Sequence, residues 1–382
     1  MKVVYAQQAF PTEWTRSIFL AGPTPRSASV QSWRGEALAL LRARGFDGVV
    51  FVPEDESGTF RGEYDDQVTW EREGLRMADV IVFWVARELE TMPAFTTNVE
   101  FGHWISSGKC VLGHPERAPK TRYLAWLAGE HRAPVHHTLE ATLDEAIART
   151  RPVLRAGGER AVPLLVWDTP AFQRWYAAQR AAGNRLDDAN LLWHHRTRFS
   201  NKVFAWILRV NVWIASEDRH KSSEWVMART DASSVVLYRR NGPDPMDADV
   251  LMVREFRAPV RNRNAMVLEL PGGSSDDEDV DPATVAADEA REETGISVDV
   301  SRLRSIGARQ TFATLASHVV HGYAAELTDE ELAHARALVA SRAVIDGKGT
   351  ERTWVELRTA REIFSDTEAD WTTVALVAKA LL

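Results

Sequence analysis

Three glutamates close the segment LPGGSSDDEDVDPATVAADEAREETGI, residues 270–296: Glu289, Glu292 and Glu293, with Gly295 two positions on. On a helix the spacings i, i+3 and i+4 bring all three carboxylates to one face. Carboxylates that close repel one another unless a hard divalent cation sits among them. Oxygen-only ligands favour Mg²⁺ or Mn²⁺ over zinc. The turn Pro271-Gly272-Gly273 ahead of the helix allows close backbone approach, and Gly295 suits a left-handed helix end. The acidic run 276–281 reads as a solvated loop that enlarges this turn.

A second candidate lies in the N-terminal half, in Thr96-Thr97-Asn98-Val99-Glu100-Phe101-Gly102. Asn98 read as an N-cap puts Glu100 in the first helical turn, where free amides and the helix dipole keep a carboxylate ionised. Such a group at a ligand-facing helix start can attack an electrophilic sugar carbon. It can equally do no more than stabilise its helix.

The elements around both candidates follow from apolar patterning. Residues 18–21, 49–52, 80–85 and 110–112 read as strands; 33–44, 69–77 and 99–107 read as helices. This alternation argues a doubly wound α/β domain with a parallel sheet, whose ligands bind at the carboxyl ends of the strands. Three such ends carry polar groups: Gly22-Pro23-Thr24, Pro53-Glu54-Asp55 and the loop into Thr96. In the C-terminal half, residues 234–238, 250–253 and 266–270 read as strands leading to the Gly-Gly turn. The expected division is 1–150, a helical linker 151–200 rich in Trp and His, and 201–382. The run Arg155-Ala156-Gly157-Gly158-Glu159-Arg160 reads as connecting chain.

The glutamate segment resembles the Nudix box, a Gly, a spacer and Arg-Glu-apolar-x-Glu-Glu-x-Gly-apolar. Asp288 stands where the box has Arg, which normally orients the metal carboxylates, and Ala290 holds the apolar position. The loop from Gly273 is one residue longer, so the upstream box glutamate has no clean counterpart; Glu278 and Asp281 flank Val280 there. The resemblance implies an α+β Nudix fold, a Mg²⁺ (or Mn²⁺) held by Glu289, Glu292 and Glu293, catalysis involving Glu292, and ligand contact at Gly272 and Gly273. Glu351 is a candidate general base. The order Arg254-Glu255-Phe256-Arg257 … Leu268-Glu269-Leu270-Pro271-Gly272-Gly273 is similar to the ADP-ribose and nucleoside-diphosphate-sugar branch. That implies Arg254 and Arg257 at a ligand phosphate or ribose, with strand-edge salt bridging the alternative, and a homodimer by resemblance alone.

The N-terminal motifs, Ile18-Phe19-Leu20-Ala21-Gly22-Pro23, Trp70-Glu71 … Ala78-Asp79-Val80-Ile81 and Asn98-x-Glu100-Phe101-Gly102 … Gly108-Lys109, resemble the nucleoside 2-deoxyribosyltransferases and their N-glycosidase relatives. The resemblance implies that Glu100 attacks C1′ and expels the base, with Glu71, longer than the usual Asp, assisting. Asn98 joins the catalytic set, and Gly22, Pro23 and Asp79 the substrate site. Arg26, Ser27 and Arg34 are candidates for a 5′-phosphate. Water as acceptor makes a glycosidase and a second base a transferase; both stay open.

Composition frames these readings. A chain of 382 residues fits two domains. Net charge −8 offers no basic field for nucleic acid or anionic membrane. One cysteine, Cys110, fits a reducing compartment, and no segment has the length of a membrane span. The expectation is a cytoplasmic enzyme of small nucleosides or nucleotides, with no nucleic-acid or membrane partner. The adjacent pairs His136-His137 and His194-His195 and the apolar-flanked His318 and His321 read as packing rather than ligation. The competing class is a nucleotide sensor, in which an altered Nudix domain binds without cleaving and regulates the N-terminal enzyme.

Overall fold

The computed structural model describes residues 1–382 apart from 26–29, 57–63, 198–201, 276, 278 and 347–351. The candidates Arg26, Ser27, Glu278 and Glu351 fall outside the described residues. Two compact units result, residues 1–194 with 206–225, and residues 195–205 with 226–382. Among the described residues, no helix is long and apolar enough to cross a membrane.

The first unit is built on six parallel strands: β1 (Lys2–Tyr5), β2 (Ser17–Ala21), β3 (Val49–Val52), β4 (Val80–Trp84), β5 (Cys110–Gly113) and β6 (Val135–His136). Their order in space is β1-β3-β2-β4-β5-β6. Helices α1 (Arg34–Ala43), α2 (Tyr64–Met77), α3 (Phe95–Trp104) and α4 (Arg122–Glu130) cross over between strands, and α5 (Leu139–Arg149) follows β6. Strands β2 to β5 are buried throughout because both faces are covered. Phe19, Phe51, Ile81 and Phe83 fill one face, and Ile18, Leu20, Val50, Val52 and Val82 the other. A fully buried side chain of this size contributes roughly 2–3 kcal/mol. The chain leaves β2 toward β3 on one side and reaches β4 on the other, so a crevice opens where the order reverses.

The expected linker is corrected. Arg155 and Arg160 are each 1% exposed, and both pair with Asp79. The run therefore belongs to the first unit's core. Helices α6 (Leu164–Trp167) and α7 (Pro170–Ala181) follow, but from Arg185 the expected helix is a strand, β7 (Arg185–Arg196). It forms a three-stranded sheet with β8 (Val203–Ile214) and β9 (Arg219–Arg229), in the order β7-β8-β9. Tryptophan here serves packing: Trp206 is buried with its ring 5.9 Å from that of Phe172.

The second unit is a mixed sheet. Its strands are β10 (Ala232–Arg239), β11 (Asp249–Phe256), β12 (Met266–Glu269), β13 (Gly272–Gly273), β14 (Arg304–Gln310), β15 (Val319–Glu326), β16 (Val344–Asp346) and β17 (Arg352–Thr359). The main path is β14-β15-β10-β11-β17-β16, with β12 on β11 and β13 on β10. Helices α8 (Pro282–Thr294), α9 (Asp329–Ser341), α10 (Ala360–Ser365) and α11 (Trp371–Leu381) complete it. Asp281 caps α8, its side chain accepting from the Ala283 amide at 2.7 Å, and Gly295 ends it in the left-handed conformation. Capping is thus the role the structure gives Asp281.

Candidate functional site

At the carboxyl ends of β2 and β3 lies a cavity of about 530 Å³, lined among others by Gly22, Pro23, Arg34, Glu71, Arg72 and Glu100. Gly22 is obligatory: its φ is +150°, and a Cβ there would meet the Trp84 carbonyl at 2.4 Å. Arg34 and Glu54 form an ion pair buried on both sides. Arg34 Nε also donates to the Leu20 carbonyl at 3.0 Å and Nη2 to the Gly22 carbonyl at 2.7 Å. These bonds shape the loop after β2 and occupy the fork, which corrects the reading of Arg34 as a free phosphate ligand.

Glu71 and Glu100 share a hydrogen bond. Gln67, one helical turn before Glu71, donates to its Oε1 at 2.6 Å and to the Pro53 carbonyl at 3.2 Å. Burial, and next the charge of Glu71, push Glu100 up to about 8, while Arg34 pulls the other way. Burial also raises Glu71, against the Gln67 bond and Arg34. Two carboxyls in one dry site cannot both ionise, so the pair retains a proton near neutrality.

Two expectations fail here. Helix α3 begins at Phe95, behind Ala94 in the left-handed conformation, so Asn98 is interior and Glu100 lies beyond the first turn. Burial, not the helix dipole, dominates its acidity. Asn98 accepts from Arg87 and does not line the cavity. Asp79 is likewise not a substrate group. It precedes β4, at the opposite end of the strands, and accepts from the Ser17 amide at 2.7 Å besides its arginine pairs.

The second unit holds a larger cavity, about 1230 Å³, lined by Gly272, Gly273, Glu289, Glu292, Glu293 and Arg257 among others. The Gly-Gly turn lies directly on the glutamates. The Gly272 amide donates to Glu293 at 3.0 Å, and a Cβ on Gly273 would stand 2.4 Å from Glu289 Oε1. Burial pushes Glu293 up to about 8; the Gly272 bond opposes this, and Glu289, Glu255 and Glu269 reinforce it. Among the described residues no three metal-ligating side chains are already gathered around one point. The donor chemistry nevertheless fits a hard divalent ion, whose charge would relieve this crowding. Asp288 is exposed and meets Arg291 at 3.3 Å, and Arg291 reaches Glu292 at 3.6 Å. A basic residue therefore stands beside these carboxylates, three positions later than the box pattern places it.

Strand alternation separates the two arginines. Arg257, past the end of β11, lines the glutamate cavity and bonds Glu269 at 2.9 Å. Arg254 pairs with Glu356 and Glu368 and lines a different cavity of about 520 Å³ with Trp354. Its expected contact with ligand phosphate is corrected accordingly.

Comparison with known families agrees with this division. Residues 15–118 match the family model described as nucleoside 2-deoxyribosyltransferase like, and residues 228–375 match the NUDIX domain. The chain carries both domains. No match is found among curated proteins. Each sheet is of the kind its family model implies.

Gln67 has no place in the sequence reading, which names Glu54 only within a polar strand end and Glu255 and Glu269 only as motif positions. The i, i+4 spacing of Gln67 and Glu71 and the alternation of Glu269 with core Leu268 are signals that point to two of them. His318, expected as packing, lines the larger cavity.

Proposed function

We propose that the protein acts in nucleotide metabolism through two separate chemistries, cleavage or exchange of an N-glycosidic bond and hydrolysis of a nucleoside diphosphate derivative of the ADP-ribose type. The observation that carries the first is the hydrogen-bonded pair Glu71–Glu100 in the crevice where the strand order reverses. Glu100 passes its proton to Glu71 and, as an anion, bonds to C1′ while the C1′–N bond breaks. Glu71 gives that proton to the departing base, and developing positive charge on the sugar is stabilised by carboxylate. Water or a second base then attacks C1′, Glu71 takes the proton of the incoming nucleophile, and Glu100 is released. A covalent intermediate divides one hard step into two. The direct test is base release by Glu100→Gln, expected to vanish with the fold intact.

In the second chemistry Glu289, Glu292 and Glu293 hold Mg²⁺ or Mn²⁺, which supplies charge neutralisation at a diphosphate and activation of water. Gly272 and Gly273 let the substrate approach, and Arg257 faces it. Loss of diphosphate hydrolysis in Glu292→Gln, Glu293→Gln is the expected result. The exposed Asp288 in the arginine position favours a second reading, a nucleotide sensor. Binding of ADP-ribose without metal-dependent product formation would support that reading instead.

A further inference from the structure

Gln67 is 7% exposed and lines the cavity of the glutamate pair. Both hydrogens of its side-chain nitrogen are spent: Nε2 donates to the Pro53 carbonyl at 3.2 Å and to Glu71 Oε1 at 2.6 Å. Its own Oε1 is buried and, among the described residues, makes no hydrogen bond. Turning the amide over gives that oxygen no relief, because it would then face the Pro53 carbonyl, which can only accept. Pro53 follows β3 directly, so the amide is locked from the end of a buried strand. A buried carbonyl without a partner is costly, and its retention calls for an explanation in function.

That explanation lies in what Glu71 does with its two oxygens. A protonated oxygen is a poor acceptor, so the bond from Gln67 keeps a proton off Oε1. The proton shared with Glu100 is left to lie between the two carboxyls. Their mutual hydrogen bond raises Glu100 and lowers Glu71, as expected when Glu100 donates and Glu71 accepts. The Gln67 bond and the charge of Arg34, from α1, act on Glu71 in the same direction, against burial. Arg72 on α2 and His103 on α3 also line this cavity, and Glu54, after β3, is paired with Arg34.

Resting on the proposed glycosidic chemistry, we propose that Gln67 is a positioning residue. Locked by Pro53, it engages one oxygen of Glu71, so that the shared proton rests on Glu100 and, once passed to Glu71, is presented to the departing base. The test uses the full-length protein in EDTA, as wild type, Gln67→Met and Gln67→Glu, with Glu100→Gln as reference. Two quantities are followed against pH: base release, and the infrared band of the protonated carboxyl that Glu71→Gln removes. Without the donor, anionic Glu71 is less stable and the pair takes up its second proton at higher pH. The acid limb of kcat and the infrared titration should both move up by about one pH unit in Gln67→Met, and further in Gln67→Glu. On the plateau kcat should fall about tenfold with KM unchanged. A fall in kcat with limb and band unmoved is what a purely structural glutamine gives, and it overturns the proposal. So do variants that match wild type throughout. Undiminished base release by Glu100→Gln overturns the glycosidic reading instead, and the infrared band, which needs no substrate, then decides the proton's place alone.

Discussion

In the first unit a buried glutamate, Glu100, sits against one other carboxyl, Glu71, within the field of Arg34, a cation fixed by Glu54 and backbone carbonyls. In the second, buried Glu293 is crowded by Glu289, Glu255 and Glu269, and the opposing influence is a single amide, Gly272. Both groups are pushed up to about 8, yet the remedies differ. A pair can share one proton; a cluster calls for a multivalent cation. The difference teaches that proton chemistry and metal chemistry are built from the same residue type, separated by how many carboxyls converge.

The sharpest way to break this contrast is to remove each remedy alone. Glu100→Gln is expected to lower base release about 10⁴-fold or more while diphosphate hydrolysis is unchanged. EDTA should do the reverse, abolishing diphosphate hydrolysis and sparing base release. Parallel assays of both products check this, and metal-dependent base release would erase the distinction. Glu71→Gln should reduce base release about 10²–10³-fold, since it removes the proton donor. Wild-type base release should also fall as pH rises through about 8, where the pair loses its retained proton. A pH–rate profile with no alkaline limb would count against the shared proton.

Asp79 sharpens the comparison from outside both sites. Asp79→Asn leaves Arg155 and Arg160 buried without their carboxylate and should cost about 3–5 kcal/mol of stability. The KM of the glycosidic substrate should not change, because Asp79 is remote from the cavity. Denaturant titration and kinetics together separate these roles. The smallest effect concerns stability against pH. The folded-state pKa of Glu100 is raised from 4.5 to about 8, so across that window the native state holds a proton that the unfolded chain releases. This contribution is complete below pH 4.5 and lost as pH climbs to about 8. The Tm of Glu100→Gln should therefore gain on wild type by a few degrees between pH 5 and 8. A constant difference would contradict the raised pKa.

Much of the fold is legible in residue patterning. Continuous apolar runs such as Val49–Val52 and Val80–Trp84 are buried on both faces and carry no ambiguity of register. Gly272, Gly273, Glu289, Glu292 and Glu293 come together because a short turn and one helix face set their positions locally. Failures arise where tertiary charge decides. Arg155 and Arg160 read as solvated connecting chain until Asp79 is found beneath them, 76 and 81 positions earlier. Asn98 has the composition of a cap, but α3 starts a turn sooner because Ala94 takes the left-handed conformation. Arg254 and Arg257 look equivalent in sequence, yet strand alternation sends Arg254 to Glu356 and Glu368.

The central claim is that Glu100 forms a bond to the sugar. Mass spectrometry of peptides from protein rapidly quenched during turnover of a nucleoside and nucleotide pool in EDTA tests it most directly. The account predicts a glycosyl mass on the peptide containing Glu100, absent in Glu100→Gln. Undiminished base release by Glu100→Gln, with no adduct on the wild type, would contradict it.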